Sequence, residues 1–200
     1  MNRRPLLVVL ATGVVCVVLA LVAWLWWYPQ AEAPAVAEEP VPIGGPFTLV
    51  DQDGREVTEA DFAGRYMLIY FGYTFCPDIC PTSLQTMSTA LSMLDDEERA
   101  KVAFLFITVD PKRDTVRQMA DYVALFDPAP IGLTGTKEQT DAAAKAYRMY
   151  YRVPESDTED YFVDHSSFVY LMDEEGRYVT HFAHDATAEE MAAKLGEVLG

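Results

Sequence analysis

Only three cysteines occur in 200 residues, Cys16, Cys76 and Cys80, and only three histidines, His165, His181 and His184. So few cysteines exclude a fold stapled by several disulfides, and they disfavour iron–sulfur centres, which usually take four thiolates. Basic residues are also scarce: 15 Lys and Arg stand against 31 Asp and Glu, a formal net charge of −16. Residues 1–29 hold two arginines and no acid, which leaves 13 basic and 31 acidic residues, a formal −18, on the remainder. Phosphate backbones are bound through clustered Lys and Arg, so this balance argues against nucleic acid as a partner. The charge reads as a well-solvated surface that resists self-association; an acidic face that steers a basic partner is the other reading. Internal repeats are absent, and the eight methionines form no Met-x-x-Met cluster, so a methionine-only metal site is not supported.

Against this charged background, Leu6 to Trp27 is a run of 22 residues without a charge. At ~1.5 Å rise per residue it is long enough for the ~30 Å hydrocarbon core of a bilayer. Arg3 and Arg4 before it, and Trp24, Trp26, Trp27 and Tyr28 at its end, predict a transmembrane anchor over residues 6–28. On that reading residues 1–5 lie in the cytoplasm and the C-terminal domain in the periplasm, held to the inner membrane by a single pass. A cleavable signal peptide is the rival, because Ala31-Glu-Ala33 and Ala35-Val-Ala37 resemble small-residue cleavage sites. Its apolar region is normally only about 7–15 residues, which favours the uncleaved anchor. Cys16 sits inside the run without the small residue expected before a lipidated cysteine, and reads as apolar filler. Residues 29–44, rich in Pro, Ala and Glu, read as a linker, and residues 45–200 as one globular domain.

Within that domain, Phe47–Asp51 and Arg55–Thr58 flank Gln52-Asp-Gly54 and predict a hairpin. Met67 to Phe71 and Val102 to Val109 are near-continuous apolar runs, the pattern of central strands covered on both faces. Between them Leu84, Met87, Leu91 and Leu94 recur at helical spacing, giving a β-α-β unit. Helices are predicted over Thr115–Phe126, Lys137–Tyr150 and Ala188–Leu199, and an antiparallel hairpin over Ser167–Met172 and Tyr178–Ala183. A β-α-β start and a β-β-α finish predict an α/β, thioredoxin-like mixed sheet flanked by helices.

The first central strand delivers the chain to Tyr70-Phe-Gly-Tyr-Thr-Phe-Cys-Pro-Asp-Ile-Cys-Pro81. A single bridge closing so short a loop adds little stability, so Cys76 and Cys80 read as chemical rather than structural. Pro81 suits the start of a helix, with Cys80 as its N-cap, or Pro77 starts one capped by Cys76. Either way a sulfur lies near the positive end of a helix dipole, which favours the thiolate, the form that attacks disulfides and binds metals. The gap is one residue longer than the Cys-x-x-Cys redox signature, which leaves room for an ion between the sulfurs. Two thiolates suit Cu(I) or Zn(II); with an imidazole added they suit either oxidation state of copper.

His165 is the candidate third ligand, because Tyr161-Phe-Val-Asp-His-Ser166 forms the loop before a predicted sheet strand and faces the cysteine loop in this fold. His181 and His184 have an odd separation along a strand, which sends them to opposite faces, and both read as surface residues. Asp164 neighbours His165 but points away from it in extended chain, and Asp78 between the cysteines reads as a solvated turn acid, with tuning of the thiols or orienting of a partner as the other reading.

These residues resemble the SCO/SenC family of copper-binding, thioredoxin-like proteins. The resemblance covers roughly Gly45 to Leu199 and rests on Tyr70 to Pro81, on Val109-Asp-Pro-Lys-Arg-Asp-Thr115 and on Val163-Asp-His-Ser166. It implies that Cys76, Cys80 and His165 bind one copper ion per domain, as Cu(I) or Cu(II). It also implies a membrane-anchored metallochaperone that delivers copper to the CuA centre of cytochrome c oxidase, with subunit II and other copper chaperones as partners. A thiol-disulfide oxidoreductase using Cys76 and Cys80 without copper stays open as an alternative, as does a copper or redox sensor. The motif from Asp110 to Thr115 is given a shaping role near the site.

Overall fold

The computed structural model describes residues 4–27, 42–155, 158 and 160–200. The chain divides into two compact units, Met1–Val41 and Pro42–Gly200. In the first, a helix α1 runs over Arg4–Trp27. Among the described residues no helix is long and apolar enough to cross a membrane. The expectation of a single-pass inner-membrane anchor over residues 6–28, with a periplasmic domain, is corrected accordingly. The expected linker at 29–44 lies for the most part outside the described residues, as do the two cleavage-like motifs.

The second unit is built on a seven-stranded sheet. Its strands are β1 (Thr48–Asp51), β2 (Glu56–Thr58), β3 (Tyr66–Gly72), β4 (Val102–Thr108), β5 (Ile131–Thr134), β8 (Val169–Met172) and β9 (Tyr178–Phe182), with a ribbon of β6 (Tyr151–Arg152) and β7 (Asp164–His165) standing apart. The order across the sheet is β2-β1-β5-β4-β3-β8-β9. β3 and β4 pair in parallel from Tyr66↔Val102 to Gly72↔Thr108, and every β4 side chain is buried. That is why their sequences lack alternation: a parallel central strand has no solvent face. α2 (Ile79–Ser92) crosses between them and buries Leu84, Met87 and Leu91, the residues whose spacing predicts it. A short α3 (Asp96–Ala100) follows, capped reciprocally by Asp95 and Glu98. Each fully buried Leu or Ile in this core contributes about 1.5–3 kcal/mol.

The remaining helices are α4 (Val116–Val123), α5 (Lys137–Ala146) and α6 (Ala188–Leu199). Thr115, Thr136 and Thr187 cap them, each accepting a backbone N–H three residues on. α4 and α5 stop short of the predicted ends; Arg148, beyond α5, takes a left-handed φ of 55°, which a helix cannot continue through. β5 was not predicted. Its sequence, Ile-Gly-Leu-Thr, follows Pro128 and Pro130 and holds a glycine, the marks of a loop. Gly132 is there for steric reasons, since a Cβ would meet Val123 Cγ1 at 2.8 Å and Met119 Cε at 3.1 Å. β5 lets the β1–β2 hairpin join the sheet edge through Val50↔Thr134.

Candidate metal and thiol site

β3 ends at Gly72, and the chain turns through Tyr73-Thr-Phe75 into the cysteine loop. α2 begins at Ile79 with Asp78 as N-cap. Cys80 is therefore the second residue of the helix, not its cap, and Pro81 sits inside the first turn, where a missing N–H costs nothing. Cys76 takes part of the cap's role: its Sγ accepts the Cys80 backbone N–H at 3.4 Å. Cys80 is fully buried and Cys76 half-buried, and both thiols are free. The close approach of Cys80 to the sheet needs Gly72, where a Cβ would lie 2.8 Å from Cys80 Sγ and 3.0 Å from Phe106 Cε2.

The histidine arrives from the opposite side. β7 pairs Tyr151↔His165 and Arg152↔Asp164, so the predicted loop is a two-stranded ribbon over its last residues. His165 Nδ1 lies 3.0 Å from Ser166 O. A carbonyl only accepts, so Nδ1 carries a proton, and Nε2 is the nitrogen turned toward the sulfurs. That Nε2 stands 3.5 Å from Cys80 Sγ. Tyr70 and Tyr73 hold the ring edge-on, at 6.2 and 5.9 Å between centroids. Asp164 turns away to pair with Arg152 at 2.9 Å and does not orient the imidazole. His181 and His184 are exposed and take no part, and Asp78 is exposed.

The two thiols are driven apart electrostatically. Cys76 is pushed down to about 3 by its hydrogen bond with Cys80, with further help from His165 and from backbone N–H groups of Asp78 and Cys80. Cys80 is pushed up by the same contact with Cys76 and by burial. One proton thus serves the pair, with Cys76 as thiolate and Cys80 as thiol. Burial holds the Tyr73 hydroxyl up at about 12, so the neighbouring phenol stays neutral. One donor atom from each of Cys76, Cys80 and His165 lies within 4.8 Å of the others, and this set can hold one metal ion. Two sulfurs and one imidazole form the soft, low-coordinate donor set that suits copper.

Two carboxylates of the motif from Asp110 to Thr115 brace the site. Asp114 is fully buried and accepts from Thr74 N at 3.0 Å, Thr74 Oγ1 at 2.6 Å and Thr108 Oγ1 at 2.6 Å, tying the start of the cysteine loop to the end of β4. Asp110 accepts from the Tyr161 hydroxyl at 2.9 Å and pairs with Arg113. The signal for both was the motif from Asp110 to Thr115 after a central strand. What it lacked was any indication that Thr74 and Tyr161 were the partners.

The protein-family model described as SCO1/SenC matches residues 35–200. Protein sco1 of Schizosaccharomyces pombe is 43% identical over 157 residues, 77% of this chain and 60% of that protein. The chain spans about half the length of several such relatives, 43% to 60% of the first four. Among solved structures, the copper-bound ScoI of Bradyrhizobium japonicum superposes with a TM-score of 0.71 at 43% identity, covering 78% of this chain and 98% of that one. Copper-bound yeast Sco1 gives a TM-score of 0.73 at 39% identity, covering 78% and 88%.

Proposed function

Because the chain belongs to the SCO1/SenC family, we propose that its thioredoxin-like domain, residues 45–200, is a copper metallochaperone serving assembly of cytochrome c oxidase, with the CuA centre of subunit II as the recipient. The observation that carries this reading is the convergence of Cys76, Cys80 and His165 within 4.8 Å. It is supported by the copper held in the ScoI and Sco1 structures to which the chain is similar. Copper is the cargo here. Cys76 is already ionised and binds without losing a proton, whereas Cys80 must release one as the metal arrives, so loading is favoured by rising pH. His165 completes the set with a neutral nitrogen whose tautomer Ser166 fixes. Delivery proceeds by ligand exchange, as thiolates of the recipient displace Cys76, Cys80 and His165 in turn.

A second reading is favoured by the division of the thiols. Cys76 is a half-exposed thiolate and Cys80 a buried thiol, the pattern of an attacking and a resolving cysteine. Cys76 would attack one sulfur of a recipient disulfide and displace the other as a thiolate, forming a mixed disulfide. Cys80, losing its proton, would then attack Cys76 Sγ, close a Cys76–Cys80 disulfide and release the recipient as a dithiol. An external dithiol must reduce the pair for another cycle.

The two are separated by presenting the recipient domain in reduced and in disulfide form. The metallochaperone reading expects copper-loaded protein to generate the recipient's own copper absorption from the reduced form, and metal-free protein not to. Failure of that transfer, with stoichiometric reduction of the oxidised recipient by metal-free protein, would establish the thiol reductase instead.

A further inference from the structure

We propose that Arg113 is a positioning residue for this site, a clamp that holds the His165 ribbon against the cysteine loop and so sets how well the site takes Cu(II) relative to Cu(I). The inference rests on the copper-site reading above and adds a residue that touches none of the three candidate ligands.

Arg113 lies where the two halves of the site meet. Its guanidinium stands over the Tyr161 ring at 3.7 Å, the Phe75 ring at 4.8 Å and the Tyr73 ring at 5.6 Å. Phe75 adjoins Cys76, Tyr73 packs edge-on against His165, and Tyr161 precedes His165 by four residues. Arg113 Nη1 also donates to Tyr161 O at 3.0 Å, and Nε donates to Asp110, which accepts the Tyr161 hydroxyl as well. Tyr161 is therefore held by its ring, its carbonyl and its hydroxyl through one ion pair. That pair is buried, 7% and 2% exposed. Buried ion pairs add little net stability over apolar side chains of similar volume, and their best-attested use is to fix one register.

Packing buries Tyr161 and Val163 on the way into β7 but leaves the ribbon's own four residues half or fully exposed. The ribbon borders a cavity of about 400 Å³, lined by Tyr151, Val153, Tyr161, the segment from Val109 to Lys112 and the turn from Gly135 into α5 at Lys137. Tyr151, the register partner of His165, lines that cavity, so the strand paired with the imidazole's own has open volume on one side. A planar, five-donor guanidinium can stack on three rings while donating sideways, whereas an ammonium cannot. Moving the ribbon by an ångström would take Nε2 away from the sulfurs and leave the sulfurs where they are. Cu(II) needs the nitrogen more than Cu(I) does, because two soft thiolates still suit the monovalent ion.

The test uses the full-length, reduced chain and its Arg113→Met, Tyr161→Phe and His165→Ala variants, with Arg113→Met combined with His165→Ala. Cu(II) and Cu(I) affinities are measured by competition, and contacts between the His165 and Tyr73 rings are read by NMR without metal. Arg113→Met is expected to weaken Cu(II) binding about 10- to 100-fold with a much smaller change for Cu(I). It should lose the ring–ring contacts, and add no further Cu(II) loss on top of His165→Ala. A folded Arg113→Met chain with wild-type Cu(II) affinity, or with a loss that adds in full to that of His165→Ala, overturns the proposal. If that variant does not fold, Tyr161→Phe decides: a smaller loss confined to Cu(II) supports the clamp, and unchanged affinity overturns it. Should wild type hold no copper at the cysteines, the copper-site reading fails, and the metal-free ring contacts still decide whether Arg113 positions His165.

Discussion

The corner that carries Cys76 and Cys80 follows a strand buried along almost its whole length and leads into a helix whose inner face is core. The ribbon that carries His165 is a pair of two-residue strands, half exposed and bordered by a cavity. Gly72 lets Cys80 approach the sheet, and Thr74, Asp114 and Thr108 tie down the start of the cysteine loop, whereas the imidazole is met by Ser166, two tyrosine edges and a ribbon held through the Asp110–Arg113 pair. The difference teaches that the site has a preset half and an adjustable half. In the proposed function, soft-metal binding and thiol chemistry fall to the preset half. The proposed discrimination between copper oxidation states falls to the adjustable one.

The sharpest way to break the comparison is to damage the preset half. Asp114→Ala leaves the buried Thr108 hydroxyl and the half-buried Thr74 hydroxyl and N–H without their acceptor, and should cost about 3 kcal/mol or more of stability in urea unfolding. Gly72→Ala forces a methyl against Cys80 Sγ and Phe106, and is expected to cost about 1–3 kcal/mol, read the same way. Damage to the adjustable half should look different. His165→Ala is expected to change unfolding free energy by less than about 1 kcal/mol. Titration of the same variant should show Cu(II) binding strongly weakened and Cu(I) binding weakened less. A His165→Ala chain as unstable as Asp114→Ala would erase the contrast.

A gentler probe compares the two thiols. Because Cys76 is held down to about 3, it is already a thiolate at pH 5, and its alkylation by iodoacetamide should be nearly flat from pH 5 to 8. An unperturbed thiol, with a pKa of about 8.5, would instead react roughly tenfold faster per pH unit over that range. Cys80, buried and pushed up, should stay unmodified across it while the protein is folded. Mass spectrometry of the alkylated peptides reads both outcomes at once.

Much of the preset half was legible in the sequence. Near-continuous apolar runs at 67–71 and 102–109 announced central strands, the spacing of Leu84, Met87 and Leu91 announced α2, and the cysteines fell at the junction. The helix start was misplaced by two residues because Pro81 suits any position in the first turn. β5 was missed because steric demand from Val123 and Met119 put a glycine in a strand, and glycine reads as a turn. The short ribbon carries no periodicity at all, so His165 could be named from its neighbours but not its pairing with Tyr151. The brace of Asp114 on Thr74 and the clamp of Arg113 on Tyr161 join residues 40 and 48 positions apart, and local pattern does not encode such partners. The apolar N-terminal run raised an expectation of a membrane span that the described helix does not meet.

The central claim is that Cys76, Cys80 and His165 together hold one copper ion. Its most direct test is copper content after desalting, with the absorption spectrum, for the reduced chain and its Cys76→Ser, Cys80→Ser double variant. One copper per chain with a sulfur-to-Cu(II) charge-transfer band in wild type, and neither in the variant, is the predicted result. Equal copper retention by the two proteins would contradict it.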